Sequence, residues 1–399
     1  TNGIVQGDLV LYGRGDPTMD RRCYGLDTTQ AFACQSDPAA PLHRLADSLK
    51  TLGIRGIAGD VIGDGSWLEP TTVHPAWEAY DLNWWYAAPV SGLGFNDNSV
   101  DIVWSPGNVG EPARITFLPK LGDVTLENRT VVIAGDTGGT LDFFRDPGTL
   151  RIRAEGRVAQ GAAGGTEHFA LPDPNLYTAW AFAAALADVG VALHGGVRST
   201  TDSSAYRAAR AGSALAEVES RPFRDWIFPV LNSSQNWFAE MLLKQIGRRS
   251  GRGGSWSEGL AVERRFLVDS AGIDSTQFLL VDASGLSWLD RVTPRALVGV
   301  LQFAHRHAGM DAFHAALPRS GSRGSLRRRF LGTPLDSLVA AKPGSLTGAN
   351  SLAGYLDLAT GKRITFAIVV NHHTLGNGAM AAVIDSLVLD IARGLGGRR

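Results

Sequence analysis

Hydrophobic positions along the chain alternate between a two-residue and a three-to-four-residue period, so strands and helices are both predicted and follow one another closely. GDLVLYG at 7–13 alternates as a strand and breaks at GRGDPT, a turn signal. Leu42, Leu45, Leu49 and Leu52 then recur on one face between Pro41 and Gly53, which predicts a helix stopped by the glycine. Residues 54–64 return to strand. Between 99 and 159 the runs VDIVW, ARITFL, TVVIAG, TLDFF and LRIRAEG are parted by Pro106-Gly107, Gly138-Gly139 and Pro147-Gly148, the pattern of a small β-rich module. Asp173 as N-cap and Pro174 at the first position open a helix that Gly190 closes. A strand near 191–198 leads into a polar, alanine-rich stretch, 200–212, where a domain boundary is expected.

Beyond the boundary, Trp237 and Met241, with Phe238, Leu242 and Ile246, fall at helical spacing. Residues 233–236 therefore form the loop before a buried helix, and Ser234 and Asn236, two apart, can point into one cleft; a plain N-cap is the alternative use of either. The Gly/Arg stretch 247–255 lacks both the Lys-Ser/Thr ending and the preceding strand of a phosphate cradle. A helix over 257–271, a loop from Asp282 to Asp290 and a helix begun by Thr293-Pro294 follow. The chain closes as strand, strand, strand, helix. In AAKPGSLTGANSLAGYLDL, 340–358, Lys342 stands alone among small residues, Ser345 and Thr347 take alternate positions, and Leu352, Gly354, Leu356 and Leu358 continue the alternation on the return strand. Gly361-Lys362 turns into ITFAIVVN, and Met380, Val383, Ile384, Leu387, Val388 and Ile391 stripe a final helix expected to pack on this sheet. That leaves the Lys342 strand as an edge holding a cation and backbone donors, the arrangement that receives an anionic peptide end.

Composition narrows the classes. A length of 399 residues points to two or three domains, and 44% apolar with 19% charged residues supplies a large core. A net charge of −1 removes the chain-wide electrostatic case for nucleic acid or anionic lipid. Arg327, Arg328 and Arg329 read as a solvated turn rather than a polyanion site. No apolar run reaches the roughly 18 residues that span a bilayer. The nine histidines form no convincing metal set: His305 and His307 face different ways on a helix, and His372-His373 ends a strand. The rings between Trp67 and Trp85 are expected to build a satellite core more readily than a sugar platform. Thr1 is preceded by no methionine, basic or apolar leader, so the chain is expected to be processed or truncated at its start. A local disulfide between Cys23 and Cys34 is expected across a polar segment, as suits an exported, periplasmic or extracytoplasmic protein; two unrelated buried thiols are the alternative.

GDLVLYGRGDPTM, WYAAPVSGL, SSQNWFAEMLL, DASGLS, RVTP, GSLRRRFLGTPL and AAKPGSLTGANSLAGY, in this order over nearly the whole chain, resemble the class C low-molecular-mass penicillin-binding proteins, serine-type D-alanyl-D-alanine carboxypeptidases and endopeptidases. The resemblance implies a transpeptidase-type α/β domain, an antiparallel sheet flanked by helices, over 213–399. Residues 1–212 would be inserted domains, with the small β-rich module at about 65–160. It implies acyl transfer on peptidoglycan stem peptides, inhibition by β-lactams, and no metal or cofactor. Ser234 would relay a proton, Asn236 bind the peptide carbonyl, and Lys342 supply positive potential. Gly344, Ser345 and Thr347 would bind substrate, the Ser345 amide as one oxyanion donor. Two departures stand out. Ser-x-x-Lys, the nucleophile motif, belongs upstream of the GDL strand and is not found here; Ser48-Leu49-Lys50 has the wrong spacing. The chain as given is therefore expected to show no turnover, and a noncatalytic peptidoglycan-binding protein is the alternative. Pro343 also replaces a hydroxyl residue of the family pattern.

Overall fold

The computed structural model describes residues 3–19, 37–210, 213–251, 253–307, 311–358 and 361–395. The expected Cys23–Cys34 pair lies outside them. The described chain forms two compact units; one runs to Ser220 and includes Gly253–Ser255, and the other takes in the remaining residues from Arg221 on.

In the first unit, strands Leu9–Tyr12, Val61–Asp64 and Val197–Thr200 form a parallel sheet with Val61–Asp64 at its centre. Helix Pro174–Asp188 packs on this sheet and on helix Ala40–Thr51. Asp173 caps the former as expected, its Oδ1 accepting from the Leu176 amide at 2.9 Å. Leu42, Leu45 and Leu49 are buried, but Leu52 is 60% exposed. It is the C-cap residue, where the helical repeat has already ended. The five runs between 99 and 159 are all strands, in two sheets. Ser99–Ser105 is central in one; in the other Arg151–Ala159 lies parallel to Thr125–Ile133 and antiparallel to Asp142–Arg145. A further strand, Gly165–Ala170, pairs with Ser99–Ser105. Its sequence, GTEHFA, shows no apolar alternation, and its polar positions are matched across the ladder, where His168 Nδ1 lies 2.7 Å from Asp101 Oδ1. Among the aromatics, Trp77 is buried and Trp84 meets Phe169 edge-on at 5.7 Å, so these two rings are core.

The second unit is an α/β layer structure around a three-stranded antiparallel sheet in the order Val339–Leu346, Ala349–Asp357, Arg363–Asn371. Alternation on the central strand separates its faces. Leu352 and Leu356 join Met380, Ile384 and Val388 of helix Asn377–Leu395 in one core. Ala353 and Tyr355 turn the other way, where Tyr355 packs in a cluster with Leu301 of helix Pro294–Arg306 and bonds its carbonyl at 2.6 Å. The expected stripe on the last helix is narrower than its sequence: Val383, Leu387 and Ile391 remain 44, 44 and 37% exposed. The core of this sheet takes in Met380, Ile384 and Val388, with Leu389 and Ala392 packed against it, and leaves the 383, 387, 391 line of the helix outside. Within the arginine triplet, Arg329 is half-buried against Asp385, its Nε 3.0 Å from Oδ1, and ties the 324–330 segment to that helix.

Candidate functional site

Helix Asn236–Ser250 takes in the first four residues of the Gly/Arg stretch, 247–250. Its N-cap is Gln235, whose Oε1 accepts from the Trp237 amide at 3.3 Å. Neither Ser234 nor Asn236 is the cap residue. Ser234 precedes the cap with φ +61°, a left-handed conformation that costs a non-glycine residue of order 1 kcal/mol or more. Its hydroxyl is turned to another partner: Lys342 Nζ donates to Ser234 Oγ at 2.7 Å, across 108 residues of sequence.

Lys342 stands on the edge strand Val339–Leu346, in register with Ala353. Its second acceptor is the Pro343 carbonyl, at 2.7 Å. Burial pulls the ammonium down to about 8 from its ordinary value of 10.5. The outer backbone of this strand is assigned by two bonds. Ala341 N donates to Pro318 O at 3.0 Å, and Ser320 N donates to Val339 O at 2.9 Å. Strand alternation then turns the backbone groups of 343 and 345 outward as well. Pro343 accordingly interrupts no ladder bond, and the Ser345 amide faces away from the neighbouring strand.

The remaining predicted residues differ in what they touch. A Cβ added at Gly344 would come within 2.6 Å of Ser351 Oγ, so a larger residue there requires the Ser351 hydroxyl to turn away. Ser345 Oγ accepts from Asn350 Nδ2 at 2.9 Å, while Asn350 Oδ1 lies 2.7 Å from His373 Nε2; accepting leaves the serine O–H able to donate. Thr347 lies in the turn after the strand, beyond Leu346. Beside Lys342 and Pro343 opens a cavity of about 360 Å³ with mainly apolar walls, including Leu231, Leu267, Phe278 and Leu301. Glu263 also lines it, and burial pushes that carboxyl up to about 7.

Sequence reasoning missed Glu240, a fully buried carboxylate one turn into the asparagine helix. Its oxygens accept from Trp256 Nε1 at 2.7 Å, from Ser284 N at 2.8 Å and from Ala283 N at 3.1 Å. Burial and the neighbouring Asp282 raise its pKa. The one available signal was a lone acid on a helix face otherwise filled by Trp237, Met241 and Lys244.

A family model described as D-Ala-D-Ala carboxypeptidase 3 (S13) matches residues 1–392. A D-alanyl-D-alanine carboxypeptidase of Actinomadura sp. (strain R39) is 29% identical over 401 residues, covering 98% of this chain and 70% of that protein. A penicillin-sensitive carboxypeptidase A of Dictyostelium discoideum is 28% identical over 330 residues, 79% of this chain and 62% of the relative. Penicillin binding protein 4 of Haemophilus influenzae superposes with a TM-score of 0.81 at 22% identity, over 98% of this chain and 83% of that one, and shares its fold.

Proposed function

The chain belongs to the D-Ala-D-Ala carboxypeptidase 3 (S13) family, serine-type hydrolases, and from that premise we propose that its Ser234–Lys342 pair is half of an acyl-transfer site acting on D-Ala-D-Ala ends or crosslinks of peptidoglycan stem peptides. The observation that carries the reading is the 2.7 Å bond between a strained loop serine and a desolvated edge-strand lysine. In this reading the peptide C–N bond breaks as an ester forms on a serine nucleophile. Ser234 passes its hydroxyl proton to the departing D-alanine nitrogen and is reprotonated by the proton that the nucleophile gave to its general base, while Lys342 holds the Ser234 oxygen in place and compensates the charge that develops on it. Asn236 orients the peptide carbonyl, the outward Ser345 amide donates to the oxyanion, and Gly344 keeps the edge flat for the substrate backbone. Thr347 and the Ser345 hydroxyl complete the carboxylate contact.

In this reading the nucleophile and its general base would be those of a Ser-x-x-Lys segment, which residues 1–399 do not contain. The cavity beside Lys342 and Pro343 has the apolar walls that a helix from that segment would need. Residues 1–212 act as the inserted domains and 213–399 as the larger part of the transpeptidase-like domain, in a protein exported to the cell wall and inhibited by β-lactams. The test is fluorescent-penicillin labelling of the protein carrying its upstream segment. Covalent label lost on Ser→Ala in that segment supports the enzyme; no Ser-x-x-Lys in the gene and no label support a noncatalytic peptidoglycan-binding protein.

Pro343 sets a further expectation. Its nitrogen faces outward, so Pro343→Thr restores a hydroxyl and adds an amide at a position where the ladder loses nothing. Acylation of the upstream-extended protein should rise about tenfold, the equivalent of one added charge-assisted hydrogen bond to the substrate carboxylate. An unchanged or lower rate constant removes this account of the position.

A further inference from the structure

Glu240 follows Asn236 by four residues, so the two side chains lie one above the other on the same face of helix Asn236–Ser250. The hydrogen bonds that the Glu240 carboxylate accepts come from two other elements, the indole of Trp256, at the start of helix Trp256–Arg265, and the amides of Ala283 and Ser284 in the loop 281–290, with the Asp282 carboxylate nearby. That loop is closed on itself. Asp282 accepts from Gly285 N and Ser287 N, each at 2.8 Å, and Asp290 accepts from Val281 N at 2.7 Å. Lys244, a turn further along, stacks its Nζ 3.4 Å over the Trp256 ring. A rotation or slide of the asparagine helix would have to break these Glu240 bonds in a fully buried setting, where each unsatisfied donor is costly. The end of this helix is where Ser234 meets Lys342.

We propose that Glu240 is the positioning residue of the Ser234–Asn236 motif, fixing the helix through Trp256 and the 283–284 amides so that Ser234 and Asn236 stand in register with Lys342. The inference rests on the acyl-transfer reading of that site. Glu240 touches no substrate; it acts through the helix. The chemistry of its shell makes the role specific to a carboxylate. In Glu240→Gln one amide oxygen can still accept from the loop, but the NH2 group then faces another donor. The helix end shifts to relieve that clash, and misplacement of a reacting group by about 1 Å costs on the order of 100-fold in rate.

The experiment measures, in the protein carrying its upstream segment, the acylation rate constant with fluorescent penicillin and the fraction of molecules labelled at completion. Glu240→Gln should lower the rate constant about 30-fold at an undiminished labelled fraction. Adding Trp256→Phe in that background removes the opposing indole N–H and should restore about fivefold, a coupling that a simple loss of stability does not produce. Trp256→Phe alone, which folds even where Glu240→Gln does not, should slow acylation roughly threefold at full labelling. Wild-type rate constants in both single variants, or a reduced labelled fraction with an unchanged rate constant, overturn the inference. Unlabelled wild-type protein removes the acyl-transfer reading and the inference with it, whereas labelled wild type with an unaffected Glu240→Gln removes only the inference.

Discussion

Replacing Lys342 by methionine is expected to lower acylation by penicillin at least about 1,000-fold while leaving the fold as stable as before, or more so. The two halves of that outcome have one cause. The ammonium is held in the wall of a mainly apolar cavity with Ser234 Oγ and the Pro343 carbonyl as its acceptors among the described residues, so its charge is largely unsolvated. A desolvated cation contributes little to stability, and methionine fills much the same volume without it. The same desolvation makes the charge effective toward a substrate carboxylate and the developing oxyanion, because water does not screen it there. Rate constants from fluorescent-penicillin labelling, set beside urea unfolding midpoints, decide the matter. A variant that loses activity only in proportion to stability would make Lys342 a structural residue.

The depressed pKa of Lys342 adds a pH signature. Burial holds the folded-state value near 8 against 10.5 for the unfolded chain. Between those values the unfolded chain binds more protons than the folded one, so the contribution of this group to stability rises with pH across that window. The full difference amounts to roughly 3 kcal/mol, most of it gained between pH 8 and 10.5. Below pH 8 both states are protonated and the contribution is flat. Acylation should move in the opposite sense, falling as pH rises through about 8 and the ammonium is lost. Lys342→Met should flatten both profiles, which identifies Lys342 as their source.

How far these residues were legible follows from how local their signals are. Lys342 stood out as a single cation among small residues on an alternating strand, and the structure sets it on a strand in register with Ala353; Gly344 was named only through the family pattern, since its neighbour Ser351 lies on the adjacent strand. Ser234 and Asn236 were readable only as a pair before a helix; that Gln235 takes the cap and leaves Ser234 turned to Lys342 depends on a partner 108 residues away. Glu240 was invisible for the same reason, since its donors lie 16 and 43 to 44 residues further on. Periodicity over-reached where it met geometry. Leu52, Val383, Leu387 and Ile391 continue hydrophobic stripes beyond the area that the opposing elements cover. It fell short at Gly165–Ala170, where strand pairing is sustained by neighbouring strands and by a His–Asp contact rather than by apolar alternation.

The conformation of Ser234 yields the other large effect. Its φ of +61° is one that glycine adopts freely and that a Cβ disfavours. Ser234→Ala keeps the Cβ and removes only the hydroxyl, leaving Lys342 without that acceptor; Ser234→Gly removes the hydroxyl and the strain together. Both should slow acylation of the upstream-extended protein by about 100- to 1,000-fold, the usual contribution of a positioned proton-transfer group. In stability the two should part, with glycine above alanine by about 1 kcal/mol, because only glycine relieves the left-handed backbone. Equal losses of rate with glycine the more stable variant would identify strain retained for the sake of the hydroxyl's direction. Two variants of equal stability would show that the loop carries no such strain, and a Ser234→Gly protein that acylates at the wild-type rate would take the proton relay away from Ser234 altogether.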